Sequence, residues 1–84
     1  MKIKQVLEHV KGITSDSREV KEGVLFVAVR GPLQDGHRYI KAAVQKNAAA
    51  VVLQDRAFLP ETKTSIPYIL VKDSKTALSK IADA

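Results

Sequence analysis

Apolar residues are concentrated in three short, uninterrupted runs, which are separated by longer polar or amphipathic stretches. The runs cover residues 24–29, 48–53 and 68–71. The first has the length and continuity of a strand buried on both faces of a sheet and is too short for an ordinary helix. The second is predicted to be another buried strand, and the third is predicted to be an apolar strand. Ile13 and Thr14 are expected to form a further short strand before the first run. These patterns predict a sheet of mostly parallel strands.

Helical spacing of apolar residues occupies the stretches between the runs. Residues 3–10 and residues 36–47 each carry an amphipathic pattern, and Asp35 precedes the second pattern as an N-cap. The inner face of that second helix is predicted to contain Tyr39, Ile40, Ala43 and Val44. A last helix is expected to start at a cap formed by Asp73 or Ser74. Its predicted inner face contains Ala77, Leu78, Ile81 and Ala82.

The order of these elements predicts an α/β fold. Residues 24–53 read as strand, helix and strand, a βαβ unit that normally has a right-handed crossover. We therefore expect one small Rossmann-like domain over residues 1–84, with three layers and about three to five mostly parallel strands flanked by helices. Residues 54–67 are predicted to form a surface loop anchored by Phe58 and Leu59.

Two loops follow predicted strands and are the candidate binding elements. One is the polar turn at residues 15–18, and the other is the loop between Gly31 and Gly36. Gly23, in the turn between them, is expected to adopt a positive φ. Because the carboxyl ends of parallel strands lie at one edge of a sheet, both loops should open at the edge where such folds hold ligands.

Composition narrows the class of protein. With 84 residues the chain builds one modest core, and without cysteine it has no disulfide, thiolate metal site or cysteine nucleophile. We expect a cytoplasmic protein without a secretory signal, and no apolar run is long enough to cross a membrane. A net charge of +5 favours anionic partners, but the basic residues are scattered. The last predicted helix has no stop signal before Ala84, which suggests a longer parent protein.

Few residues are candidates for catalysis. His9 is expected on a helix surface, and His37 is expected to be a neutral packing or hydrogen-bonding residue instead of a general base. No glycine-rich nucleotide triphosphate loop or dinucleotide fingerprint is present. Hydroxyls, backbone amides and a nearby Arg18 or Arg30 could hold a sugar and a diphosphate at the two loops, although turn formation explains the same residues.

Taken in order, these segments resemble the amino-terminal domain of the Mur ligases, the ATP-dependent enzymes that build the peptide of bacterial cell-wall precursors. The resemblance rests on residues 15–18, 25–28, 35–37 and 48–52, together with Val20, Gly23, Gly31 and Ile40. Residues 66–78 look like the end of that domain in the ligases that add the third amino acid. The ligases that add the final dipeptide have a similar opening domain and are the nearest alternative.

The resemblance implies a UDP site that holds UDP-N-acetylmuramoyl-L-Ala-D-Glu. The positions that match the family's nucleotide contacts are Ser15, Ser17, Pro32, Leu33 and Gln34. Pro32 departs from the family's usual polar residue and lacks its hydrogen-bond donor. Support of the two turns is assigned to Asp16, Arg18, Asp35 and Gly36.

The same resemblance limits what this chain does alone. The catalytic and metal-binding residues, ATP and Mg²⁺ belong to the rest of the parent, so these 84 residues are expected to need no cofactor and to be inactive. The expected partners are the nucleotide-linked dipeptide and the missing ATP-binding domain, without nucleic acid or membrane. A small basic nucleic-acid-binding module is the alternative from another class, and it would need exposed aromatic residues in a basic groove.

Overall fold

The described part of the chain forms one parallel sheet with helices on its faces. The computed structural model describes residues 10–32, 34–60 and 66–82. Four strands lie in the order β1-β2-β3-β4 and all adjacent pairs are parallel. The strands are β1 (Gly12–Thr14), β2 (Val24–Val27), β3 (Ala50–Leu53) and β4 (Tyr68–Leu70). The described helices are α1 (Ile40–Gln45) and α2 (Ser74–Ala82). The predicted fold class is confirmed.

The two central strands are buried on both faces, as their continuous apolar sequence predicts. Phe26 of β2 lies opposite Val51 of β3, and Val27 lies opposite Val52. All four of these side chains are fully inaccessible to solvent. Because successive side chains of a strand point to opposite faces, this register divides the interior into two cores.

Each core is covered by a different helix, which produces three layers. On one face, Phe26 and Val51 form a cluster with Ile40 and Ala43 of α1. On the other face, Leu25 and Val52 pack with Ala77 and Leu78 of α2. Ala77 and Leu78 therefore occupy the inner face of α2, as predicted.

Several predicted boundaries are too wide. Strand β2 ends at Val27 instead of residue 29, although the amide of Ala28 still donates to the carbonyl of Val52 over 2.8 Å. The predicted helix at 36–47 is a 3₁₀ turn, Gly36–Tyr39, followed by the six residues of α1. The prediction that Tyr39 lies on the inner helical face is wrong, since 39% of this residue is exposed.

The predicted turn and cap residues have the expected geometry. Gly23 adopts a φ of 87°, and the Asp35 carboxylate accepts a hydrogen bond from the amide of His37 as an N-cap. Asp73 caps α2 by accepting from the amide of Lys75 at 3.0 Å. Residues 3–9 of the helix predicted at residues 3–10, and residues 61–65 of the surface loop predicted at residues 54–67, lie outside the described residues. Among the helices that are described, none has the length and apolar content needed to cross a membrane.

Candidate functional site

The loops after β1 and β2 converge on one open cleft at the carboxyl edge of the sheet. The cleft has a volume of about 510 Å³. One wall is the turn at residues 15–18. The other wall and the floor are formed by Val29, Gly31, Gln34, Gly36 and Tyr39. The predicted convergence of two separate loops is therefore present in the structure.

The first wall is held mainly by its own residues. The amide of Asp16 donates to the Thr14 hydroxyl at 3.0 Å, and the Asp16 carboxylate accepts from the Arg18 amide at 2.9 Å. The same carboxylate pairs with the Arg18 guanidinium, with Nη2 and Oδ2 separated by 2.8 Å. Hydrogen bonds from the Arg18 side chain and then its amide lower the pKa of Asp16. These contacts keep the Asp16 carboxylate ionised, and the hydrogen bond with Asp16 raises the pKa of Arg18, so its guanidinium stays charged.

One contact ties the first wall to α1. The ammonium of Lys46, the residue after α1, donates to the backbone carbonyl of Ser17 at 2.9 Å. The amide of Val20 donates to the same carbonyl at 3.3 Å, closing the 3₁₀ turn Ser17–Glu19. Since α1 follows the second loop in the sequence, the Lys46 contact connects this helix to the first loop as well.

The second wall depends on close backbone packing. The Gly31 amide donates to the Gln34 carbonyl, and the Gly36 amide donates to the Val29 carbonyl, each over 2.8 Å. A Cβ atom on Gly36 would lie 2.8 Å from both the nitrogen and the oxygen of Val29. Only glycine therefore allows the end of this loop to return so close to the end of β2.

A buried histidine anchors the second wall to the interior. The His37 side chain is fully buried, and its Nδ1 lies 2.7 Å from the Asp35 carboxylate. Its Nε2 accepts hydrogen bonds from the amides of Gln54 and Asp55, at 3.1 and 3.2 Å. Since Nε2 is an acceptor, the ring is neutral and carries its proton on Nδ1. The prediction of a neutral hydrogen-bonding histidine is confirmed.

Arg30 joins the same network from the surface. Its guanidinium pairs with the carboxylates of Asp35 and Asp55. Burial acts to raise the pKa of Asp35, but hydrogen bonds from the amide and ring of His37 and from Arg30 outweigh it and lower that pKa to about 2. Asp35 is therefore ionised at neutral pH and links the cleft loop to the loop after β3.

The predicted site residues have different positions in this geometry. Exposed Ser15, half-buried Ser17 and exposed Gln34 line the cleft. Asp16, Arg18 and Gly36 also line it, and Asp35 lies behind its second wall. Pro32 is exposed and is not part of the lining, whereas Leu33 lies outside the described residues.

Sequence reasoning missed Val29 and Tyr39 in the lining and Lys46 behind it. Gly31 also lines the cleft and belongs to the second loop that was predicted to bind. Tyr39 had a misleading signal, since its spacing matched the apolar stripe of the predicted helix. The helix itself begins at Ile40, the residue after Tyr39. Lys46 had none, because its contact spans 29 positions of sequence.

The lining of the cleft offers hydrogen-bonding groups to a polar ligand. Among residues 10–32, 34–60 and 66–82, no group of three histidines, cysteines or acids could hold a metal ion. His37 uses both ring nitrogens internally and is fully buried, so it offers no base to a substrate. Hydroxyls, an amide side chain and backbone groups remain, and these are groups that orient polar ligands.

Comparison with known proteins identifies the family. The model of the Mur ligase family, catalytic domain, matches residues 9–84. The UDP-N-acetylmuramoyl-L-alanyl-D-glutamate–2,6-diaminopimelate ligase of Bacteroides thetaiotaomicron is 49% identical over 74 residues, which are 87% of this chain and 15% of that enzyme. The enzyme of the same name from Aquifex aeolicus is 40% identical over 82 residues, or 98% of this chain and 16% of its own. The chain thus spans about one sixth of these relatives.

Solved structures show the same fold. The MurF ligase of Thermotoga maritima, determined in complex with ADP, aligns with a TM-score of 0.69 at 34% identity, covering 98% of this chain and 17% of that one. A MurF structure from Acinetobacter baumannii aligns with a TM-score of 0.70 at 20% identity, covering 94% of this chain and 19% of that one. The second likeness concerns the fold alone. On the family match and the relatives together, this chain belongs to the Mur ligase family.

Proposed function

We propose that this chain is the UDP-binding amino-terminal domain of an ATP-dependent ligase that adds the third amino acid to UDP-N-acetylmuramoyl-L-Ala-D-Glu. The relatives at 49% and 40% identity are both named for the addition of 2,6-diaminopimelate, which favours that amino acid. The alignments cover only a small share of those enzymes, so the activity is proposed for a parent protein. The proposed location is the cytoplasm.

The convergence of two loops on one cleft is the observation that carries this proposal. Ser17 and Gln34 lie on different loops, yet both line the same space. These groups can donate to and accept from a pyrimidine and a ribose, while the Arg18 guanidinium adds positive charge beside an anionic diphosphate. The Lys46 tether and the His37 anchor hold both loops without a ligand. A site held in this way loses less freedom when it binds.

In this proposal the domain contributes positioning and the rest of the parent contributes chemistry. The parent would phosphorylate the dipeptide's carboxylate with ATP and Mg²⁺, and the incoming amine would attack the acyl phosphate. Binding a remote nucleotide handle brings the distant carboxylate into place and reduces the entropic cost of the reaction. In this proposal ATP and Mg²⁺ are bound by the ATP-binding domain of the parent. The 84-residue chain alone is expected to hydrolyse no ATP.

Calorimetry with UDP tests the proposal on the 84-residue chain. We expect UDP to bind more tightly than uridine or free diphosphate, and a short single-stranded oligonucleotide to bind no better than its charge predicts. Tighter binding of the oligonucleotide than of UDP would favour the nucleic-acid-binding module. Absence of heat with UDP under conditions where the chain is folded would contradict the proposal.

A serine substitution locates the binding site. Ser17→Ala should weaken UDP by about 0.5–1.5 kcal/mol, because it removes one neutral hydrogen bond. Ser79→Ala is the matched control, since Ser79 is an exposed serine on α2, away from the cleft. Equal UDP affinity of the two variants would show that the nucleotide does not contact Ser17 of the first wall.

The ligase that adds the final dipeptide is the second candidate function. It is favoured by the 34% identity to the Thermotoga maritima MurF over 98% of this chain. The two candidates differ in their acceptor, a nucleotide-linked dipeptide for one and a tripeptide for the other. Product analysis of the full-length parent with each acceptor separates them.

A further inference from the structure

Tyr39 is an exposed aromatic residue at the proposed nucleotide cleft. It is 39% exposed and is the sole aromatic residue among those that line the cleft in the described part of the chain. The chain contains two tyrosines, two phenylalanines and no tryptophan. Phe26 is fully buried in the sheet, and Tyr68 and Phe58 line a different groove. Tyr39 is therefore an aromatic residue that is partly exposed to solvent in the cleft itself.

The backbone that carries Tyr39 is fixed on both sides. The 3₁₀ turn Gly36–Tyr39 begins at the Asp35 cap and contains the fully buried side chain of His37. The next residue, Ile40, is 4% exposed and belongs to the core under α1. A ring placed between two buried residues starts from a defined position and needs little ordering when a ligand arrives.

Tyr39 and Arg18 line the cleft from its two opposite walls. The space between them is bounded by an aromatic ring on one side and polar turn residues on the other.

We propose that the ring of Tyr39 is the surface on which the base of the nucleotide stacks. This inference rests on the proposed UDP-binding function and assigns the base to the Tyr39 side of the cleft. Stacking on an aromatic residue is sequence-tolerant, because every base presents a π-face. Tyr39 therefore supplies affinity for the nucleotide, whereas the choice of uracil over another pyrimidine is made by hydrogen-bonding groups elsewhere in the cleft.

Calorimetry with UDP and CDP on the 84-residue chain tests the affinity. Tyr39→Leu should weaken both nucleotides by at least about fivefold and by the same factor, so that their affinity ratio is unchanged. Tyr39→Phe should bind as the native chain does, because the ring is retained. Tyr68→Phe is the control at the other tyrosine. Native affinity in Tyr39→Leu would overturn the inference, as would a loss in Tyr39→Phe as large as that in Tyr39→Leu.

Proton NMR of bound uridine provides a direct readout that is independent of variant stability. A base lying over an aromatic ring has its H5 and H6 resonances shifted upfield by the ring current. We expect this shift with the native chain and with Tyr68→Phe, and its loss with Tyr39→Leu. Binding of uridine without an upfield shift would overturn the stacking geometry and leave the UDP-binding proposal intact. Absence of any UDP binding by the native chain would overturn both.

Discussion

The two walls of the cleft are built in different ways. The first wall, residues 15–18, is stabilised by contacts between residues two positions apart, such as the Asp16 carboxylate with the Arg18 amide. The second wall is fixed through Asp35 and His37 to amides that lie 17 and 18 positions beyond the histidine. One wall is a local turn with a single tether, and the other is an extension of the core.

The difference indicates how each wall responds to damage. A turn made from neighbouring residues forms through local contacts. Loss of one contact therefore shifts the turn but does not unfold it. A loop held by a buried side chain depends on the packing around that side chain, and losing the anchor leaves polar groups without partners. We therefore expect damage to the first wall to appear in binding and damage to the second wall to appear in stability.

A substitution in the core that supports both walls should destabilise the whole domain and so remove the difference between the walls. Phe26→Ala should cost about 3–5 kcal/mol of unfolding free energy, because it empties a fully buried site in the central strand. That is a large share of the total stability of a small domain. Leu70→Ala is the control, since Leu70 is an apolar strand residue that is 38% exposed and should cost far less. Urea denaturation measures both, and equal losses would mean that β2 is not the centre of the core.

Removal of the histidine anchor should destabilise the fold selectively. His37→Phe keeps an aromatic ring but leaves the Gln54 and Asp55 amides without their acceptor, at a cost of about 2–3 kcal/mol. Asp16→Ala in the first wall should cost about 1 kcal/mol or less, because it removes the cap of one exposed turn. Denaturation midpoints compare the two variants. If Asp16→Ala were the more destabilising, the contrast between the walls would be wrong.

Removal of the lysine tether should give the smallest effect. Lys46→Met breaks the hydrogen bond to the Ser17 carbonyl and should weaken UDP by about 0.5–1 kcal/mol, the lower part of the range for one hydrogen bond, because the contact is exposed. The melting temperature should stay close to that of the native chain. Lys46→Arg should restore part of the affinity, and Lys41→Met, an exposed lysine within α1, is the matched control. A lower melting temperature without a change in affinity would show that the tether stabilises the fold instead of the binding wall.

The parts of this structure that depend on short-range pattern could be predicted from sequence. Continuous apolar runs specified the buried strands, and residues such as Asp35, Asp73 and Gly23 marked caps and turns through their own side chains or lack of one. These features involve groups only a few positions apart. The parallel sheet then follows from the alternation of strands and helical segments.

The parts that depend on distant partners could not be predicted in the same way. The ion pair of Arg30 with Asp55 and the tether from Lys46 to Ser17 join positions that no local pattern relates. The exposure of Tyr39 was also not predictable, because the exact start of a helix is not evident from the apolar pattern. A 3₁₀ turn replaces the first turn of the expected helix, and Tyr39 is exposed there. The position of that one ring alters the proposed chemistry of the whole cleft.

The contact between Gly36 and Val29 has a consequence for how this site can diversify. Main-chain atoms lie there closer together than any residue with a Cβ atom would allow, so the backbone sets the spacing of the opening. The exposed side chain of Gln34 does not set that spacing. Related proteins can therefore exchange that side chain and adjust recognition while the aperture keeps its size.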